Sequence, residues 1–240
     1  YTQGYKKTNA TKLSGDKSHL FSKFIKNFKG KNNSENNFEL SLQHLSHDKY
    51  LKLYKIKIDL IDDQIDDLEN SLSFTHENDN FILGFNTSAY ETLDNDYNDK
   101  YEYVLPDLVV NTNLISSDKL GIIDLQTNLK VHNYDTNKFE KFFVNDIDWN
   151  YRNFNFNNGL TGKLLGKIKN VNYETKNVSN YKKNQTSEFF GAIGYLSKIN
   201  FFKETSNKTN HYLTPKILLR YAPGHMRKED SGARLNHLNV

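Results

Sequence analysis

The chain has 240 residues, and 32 basic against 29 acidic side chains give a net charge of +3, so the overall balance offers no electrostatic ground for nucleic-acid binding. The absence of cysteine excludes a disulfide framework, a thiolate nucleophile and a cysteine-based zinc site. Mean hydropathy is −0.77 and no apolar run approaches the roughly 20 residues of a membrane helix, yet an aromatic content of 13% stands against a disordered chain.

Taken in order, the apolar positions recur with a period of two. His19 to Phe28 places Leu20, Phe24 and Phe28 on one side, and a polar turn follows at Gly30 to Asn37. Phe38, Leu40 and Leu42 alternate with Glu39, Ser41 and Gln43, and Tyr50 to Ile58 is read as extending or pairing with these strands. Leu72 and Phe74 form a short strand. After the turn Glu77 to Asn80, Phe81, Leu83, Phe85, Thr87 and Ala89 oppose Ile82, Gly84, Asn86, Ser88 and Tyr90. Tyr101, Tyr103 and Leu105 precede Pro106, and Leu108 to Asn111 follows it.

Gly121 to His132 gives the cleanest alternation: Ile123, Leu125, Thr127, Leu129 and Val131 against Asp124, Gln126, Asn128, Lys130 and His132. Phe143, Ile147 and Trp149 share the next strand's apolar face, with Asp146 and Asp148 on its reverse. Leu160 to Ile168 alternates in the same way, Phe190 to Leu196 marks another strand, and His211 to Tyr221 reads as one ribbon stopped by Ala222-Pro223-Gly224. About ten strands joined by Asn-, Asp- and Ser-rich loops result, with no convincing amphipathic helix.

The expected fold class is therefore all-β, with antiparallel up-and-down strands. A strand of about ten residues is long for a soluble domain and fits a tilted membrane-spanning strand. The loops alternate in size, Glu77 to Asn80 short and Glu174 to Ser187 long, as in an outer-membrane barrel. The polar side carries Asn, Gln, Ser, Gly and Thr beside its charges, which suits a water-filled lumen. A soluble sandwich has similar strands, so the solvent on the two faces stays open at this level.

Several motifs carry less. Asp94 to Asp99 resembles the start of a calcium loop but has Asp99 where the sharp-turn glycine belongs and Leu105 where the closing glutamate belongs. Asp62, Asp63, Asp66 and Asp67 form an acidic loop with no surrounding chemistry. His44 and His47 are spaced for a helix face, not a strand, and lack a third ligand. Sequons such as Asn9-Ala10-Thr11 and Asn184-Gln185-Thr186 follow from an Asn-rich chain, and Tyr181 to Asn184 is too short for a nucleic-acid patch. Tyr50, Tyr54, Tyr101, Tyr103 and Trp149 are candidates for interfacial aromatic girdles or for packing.

Six segments, in order, resemble the LPS-assembly outer-membrane protein family (LptD, or OstA). They are Lys17 to Ser22, Asp48 to Lys52, Tyr101 to Pro106, Asn145 to Trp149, Lys169 to Asn172, and Tyr212 to Ile217 with Leu219 to Pro223. The resemblance covers essentially all of residues 1–240, which it places inside the barrel domain, with the jelly-roll domain and terminal barrel strands outside the chain. It implies a large barrel in the outer membrane of a Gram-negative bacterium that inserts lipopolysaccharide into the outer leaflet. It also implies a small plug lipoprotein (LptE-like), periplasmic proteins bridging lipopolysaccharide to it, no cofactor, no nucleic acid and no enzymatic step. No gate residue can be carried over.

Read as barrel wall, Ile123, Leu125, Leu129, Ile217 and Leu219 face lipid, while Glu39, Gln43, Asp124, Gln126, Lys130, Lys216 and Arg220 face the lumen. The alternatives are another outer-membrane barrel, a porin or receptor, and a soluble extracellular β-sandwich that binds carbohydrate.

Overall fold

Alternation over long stretches dictates strands with two chemically different faces, because successive side chains point to opposite sides. The computed structural model describes residues 2–5, 16–57, 59, 64–93, 100–135, 137–182, 184–205 and 209–223. The strands are β1 (Thr2–Tyr5), β2 (Asp16–Lys29), β3 (Glu35–Leu45), β4 (Asp67–Asn78), β5 (Phe81–Thr92), β6 (Tyr101–Ser117) and β7 (Gly121–Tyr134). They continue with β8 (Lys138–Asn155), β9 (Leu160–Lys176), β10 (Thr186–Ile199), β11 (Phe201–Glu204), β12 (Asn210–Leu213) and β13 (Lys216–Tyr221). A short helix, α1 (Tyr50–Tyr54), interrupts the series.

Eleven strands form one antiparallel sheet in the order β1 to β10 followed by β13, and β11 pairs with β12 in a separate ribbon. The architecture is all-β and up-and-down. The sheet is open, with β1 and β13 as its edges. Strands of 17, 18 and 17 residues in β6, β8 and β9 far exceed the usual five or six.

The connections differ between the two ends. One end carries residues 30–34, 79–80, 118–120 and 156–159 together with the β11–β12 ribbon, and the other carries the connections from β3 to β4, β5 to β6, β7 to β8 and β9 to β10. Gly121 opens β7 at φ +81, where a Cβ would meet the Asn150 carbonyl oxygen and come within 2.8 Å of Tyr151 Cα, so only glycine fits.

Three details depart from the sequence reading. Tyr50 to Tyr54 is a helix, not a strand extension; Ile58 lies outside the described residues. The adjacent Tyr50 and Leu51 are both buried, which a strand would prevent by sending them to opposite faces. Lys55, left-handed at φ 49, ends the helix. Pro106 does not divide two strands: β6 runs through it, and the register against both neighbours shifts between Val104 and Asp107, a bulge that absorbs a residue without a donor. Finally, the ribbon from His211 to Tyr221 is split at Thr214-Pro215 into β12 and β13.

Packing is sparse and gathers at the long-loop end. Leu45, Tyr50, Leu51, Leu68 and Leu93 form one cluster, with α1 folded onto the strand ends. Val144, Val171 and Tyr173 form another, against Phe142, Tyr181 and Phe190.

Candidate functional site

Direct ladder partners lie on the same face of a sheet, so the register assigns every strand residue to a side. Phe38, Phe74, Phe85, Leu108, Leu129 and Phe143 are successive partners across β3 to β8 and define an apolar face. One residue along, Glu39, Ser73, Asn86, Asp107, Lys130 and Phe142 cross the same strands on the polar face.

All seven residues expected at a lumen fall on the polar face: Glu39, Gln43, Asp124, Gln126, Lys130, Lys216 and Arg220. The five expected at lipid, Ile123, Leu125, Leu129, Ile217 and Leu219, fall on the apolar one. β10 is mixed, because Phe190 and Leu196 share the polar face, where Phe190 packs beside Val171 and Tyr173.

Burial runs opposite to the usual arrangement. Ser88, Val104, Val144, Asp146, Val171 and Thr175 are buried, and all sit on the polar face. On the apolar face Phe24, Phe143, Ile168, Phe189, Ile217 and Leu219 are exposed, Phe189 to 70% and Leu219 to 66%. Ile25, Ile82, Ile122 and Leu218 are exposed apolar residues on the polar side.

The polar face neutralises many charges in place. Lys167 stands opposite Asp148 with Nζ 3.4 Å from its carboxylate, and Lys169 opposite Asp146 at 3.2 Å. Lys23 Nζ reaches Glu39 at 2.6 Å. Outside the strands, Lys100 donates to Glu91 and Asp48, each at 2.9 Å. The bond to Glu91 above all, with that to Asp48, holds its ammonium well above the ordinary lysine value despite an opposing effect of burial. Burial pushes the Tyr50 and Tyr181 hydroxyls up, beneath the loops that cover this end.

Toward the short-turn end the polar face holds an open cleft of about 640 Å³, lined among others by Glu35, Glu77, Asn111, Asp124, Gln126 and Asp148. Glu35 is the direct ladder partner of Glu77, and Asp124 of Asp148. Two like-charge pairs facing one cleft make it strongly acceptor-rich. Asn113 Nδ2 donates to Asp124 at 2.8 Å and Lys167 meets Asp148. Among the described residues Asn111 Oδ1 is buried there without a hydrogen-bond donor. Such a surface hydrogen-bonds hydroxyl-rich groups and repels anions. Among the described residues no three His, Asp or Glu side chains come together as a metal site.

Sequence reasoning found Asp124 and Gln126 but missed Glu35, Glu77, Asn111 and Asp148 as their neighbours. Only strand parity was visible in the sequence; the pairing that joins β3, β4, β6, β7 and β8 at one level comes from the register.

Of the remaining candidates, Tyr101 and Tyr103 stack on the apolar face near the long-loop end, with ring centroids 6.3 Å apart. Trp149 lies near the short turns on the same face and donates to the Leu120 carbonyl at 2.7 Å. Tyr50 is instead packed in the α1 cluster, and the Tyr54 ring lies tilted against it with centroids 5.0 Å apart. Asp66 pairs with Lys52, whereas Asp62, Asp63, Asp94 to Asp99 and Asn9 to Thr11 lie outside the described residues. Among the described residues no helix is long and apolar enough to cross a membrane, which does not bear on crossing by strands. A scan against protein-family models finds no match, and neither does a search of curated proteins.

Proposed function

We propose that this chain is a stretch of wall in a large transmembrane β-barrel of the lipopolysaccharide-assembly kind, in the outer membrane of a Gram-negative bacterium. The apolar face meets lipid tails and the polar face lines a wet lumen. The observation that carries the membrane part is the inverted burial: the strands shelter Ser88, Asp146 and Thr175 while exposing Phe143, Ile168 and Leu219 on the opposite face. In water such a face is a liability, and in a bilayer it is the required outer surface. Strands of 14 to 18 residues in β6 to β10, with unequal loops at the two ends, fit the same architecture.

The more specific reading, insertion of lipopolysaccharide with a plug lipoprotein in the barrel, is supported by the six family-like segments. The hydroxyl-compatible cleft around Asp124 and Gln126 supports it further, since a saccharide passing that wall meets acceptors and amides. The chain acts here as a conduit and not as an enzyme.

Single cysteines placed from Gly121 to His132 in the protein in its membrane test the wall. Gln126 is expected to react with a water-borne thiol reagent and Leu125 only with a lipid-phase one. Odd positions that resist both reagents place them in a protein core and favour the soluble sandwich. A photo-crosslinker at Gln126 is expected to capture lipopolysaccharide; wall-like accessibility without capture favours a porin or receptor.

A further inference from the structure

Opposite charges meet across β8 and β9, and β10 and β13 break that rule. Lys198 is the direct ladder partner of Lys216, and both lie on the polar face. Lys163, on β9, occupies the same face one step along the ladder, opposite Leu196. Direct partners have Cβ atoms roughly 5 Å apart and diagonal neighbours roughly 7–8 Å apart, so the three lysine side chains start from one small area of the face. Arg220 continues the row on β13 opposite Gly194.

Among the described residues no carboxylate shares that area. The polar-face positions around the three lysines hold Thr161, Leu165, Leu196, Leu218 and Gly194, and the nearest acid on β8, Asp148, is matched to Lys167. Edge strands do use lysine to discourage pairing, which accounts for Lys216 and Arg220. It does not account for Lys198 or Lys163, which sit on interior strands and are partly covered. Like charges placed directly opposite destabilise a sheet, so their convergence calls for an anion between them.

We propose that Lys163, Lys198 and Lys216 form a binding site for a compact, multiply charged oxyanion of the phosphate class, with Arg220 at its border. Lysine suits this ligand because its ammonium acts as a point charge that several strands can aim at one group. The acidic cleft reaches as far as Asp148, whose bridge to Lys167 marks its border with β9, so the polar face holds an anion-accepting area and an anion-repelling one. The site depends only on the register, and it holds whether the face lines a lumen or meets bulk water. Its failure is therefore separate from failure of the barrel reading.

The test is calorimetric titration of the purified chain in neutral detergent at low ionic strength. One arm uses inorganic pyrophosphate and the other mixed micelles containing phosphatidic acid. The wild type is expected to bind at least one of them, pyrophosphate identifying a free phosphate group and micelles alone a lipid headgroup. Binding is expected to weaken tenfold or more in Lys198→Gln/Lys216→Gln and to be unchanged in Lys119→Gln. The double variant is also expected to melt at a higher temperature than wild type without anion, which shows that it folds and that the pair repels. Absence of binding in both arms, or equal binding by the double variant, overturns the proposal.

Discussion

Asn200 and Thr214 face each other where the two arms of the last hairpin are interrupted, and Thr214 Oγ1 donates to Asn200 Oδ1 at 3.0 Å. Lys198 pairs with Lys216 on one side of this break and Phe201 with Leu213 on the other, so the register passes through it unchanged. β10 with β11, and β12 with β13, are the two arms of one long hairpin. Pro215, which has no N–H to give the ladder, marks the interruption, while its carbonyl still accepts from Ile199 at 3.3 Å. The outer part projects beyond the short-turn end, and Phe202 and Tyr212 cover each other there at 5.2 Å between ring centroids.

The Asn200–Thr214 bond therefore couples the projecting ribbon to the sheet. Asn200→Ala is expected to leave global stability within about 1 kcal/mol, as for one exposed neutral hydrogen bond. Hydrogen exchange is expected to quicken in 201–213 while β9 and β10 keep their protection. Unchanged exchange in the ribbon shows that the Phe202–Tyr212 pair alone holds it.

Gly166 supports the only tryptophan in the chain. A Cβ at this position would lie 2.9 Å from Trp149 Cε3, and the indole cannot easily retreat because its N–H is bonded to Leu120. Gly166→Ala is expected to cost about 1–3 kcal/mol by overpacking. It is also expected to shift tryptophan emission as the indole leaves its bond. Emission identical to wild type rules out this packing of ring on glycine.

The two faces were legible in the sequence for a plain reason. Side-chain direction has a period of two, so Leu129 and Lys130 reveal their opposition without any structure. What lay beyond reach was the register between neighbouring strands, which decides that Asp124 meets Asp148 and that Glu35 meets Glu77. α1 was hidden by its own brevity. Tyr-Leu-Lys-Leu-Tyr is too short to show a helical period, and the packing of Tyr50 and Leu51 onto Leu45, Leu68 and Leu93 suits the helix.

Tyr181 gives the loop-covered end a dependence on alkaline pH. Burial first, then the Glu140 carboxylate and Tyr173, raise its pKa above the ordinary 10.0. The folded protein therefore holds the phenolic proton more tightly than the unfolded chain. The associated stability is complete below about pH 10 and is lost as pH rises through the higher folded value. Wild type is expected to lose denaturant resistance above about pH 10 more steeply than Tyr181→Phe. Parallel curves for the two proteins exclude this residue as the source.

Leu129 is the most decisive single position for the solvent on the apolar face. It stands between Leu108 and Phe143 in the aromatic-rich row that crosses six strands. If the row lies at mid-bilayer, Leu129→Arg is expected to lower folding stability in lipid vesicles by about 2–4 kcal/mol. Asn128→Arg, at the same level on the polar face, is then expected to cost far less, because its charge enters the wet side near Val109 and Val144. Both variants introduce the same charged side chain at the same level of β7, so the medium on each face is the main difference. Should Leu129→Arg instead yield a folded monomer in detergent-free buffer, the apolar row needs neither lipid nor a covering sheet, and the barrel-wall reading fails.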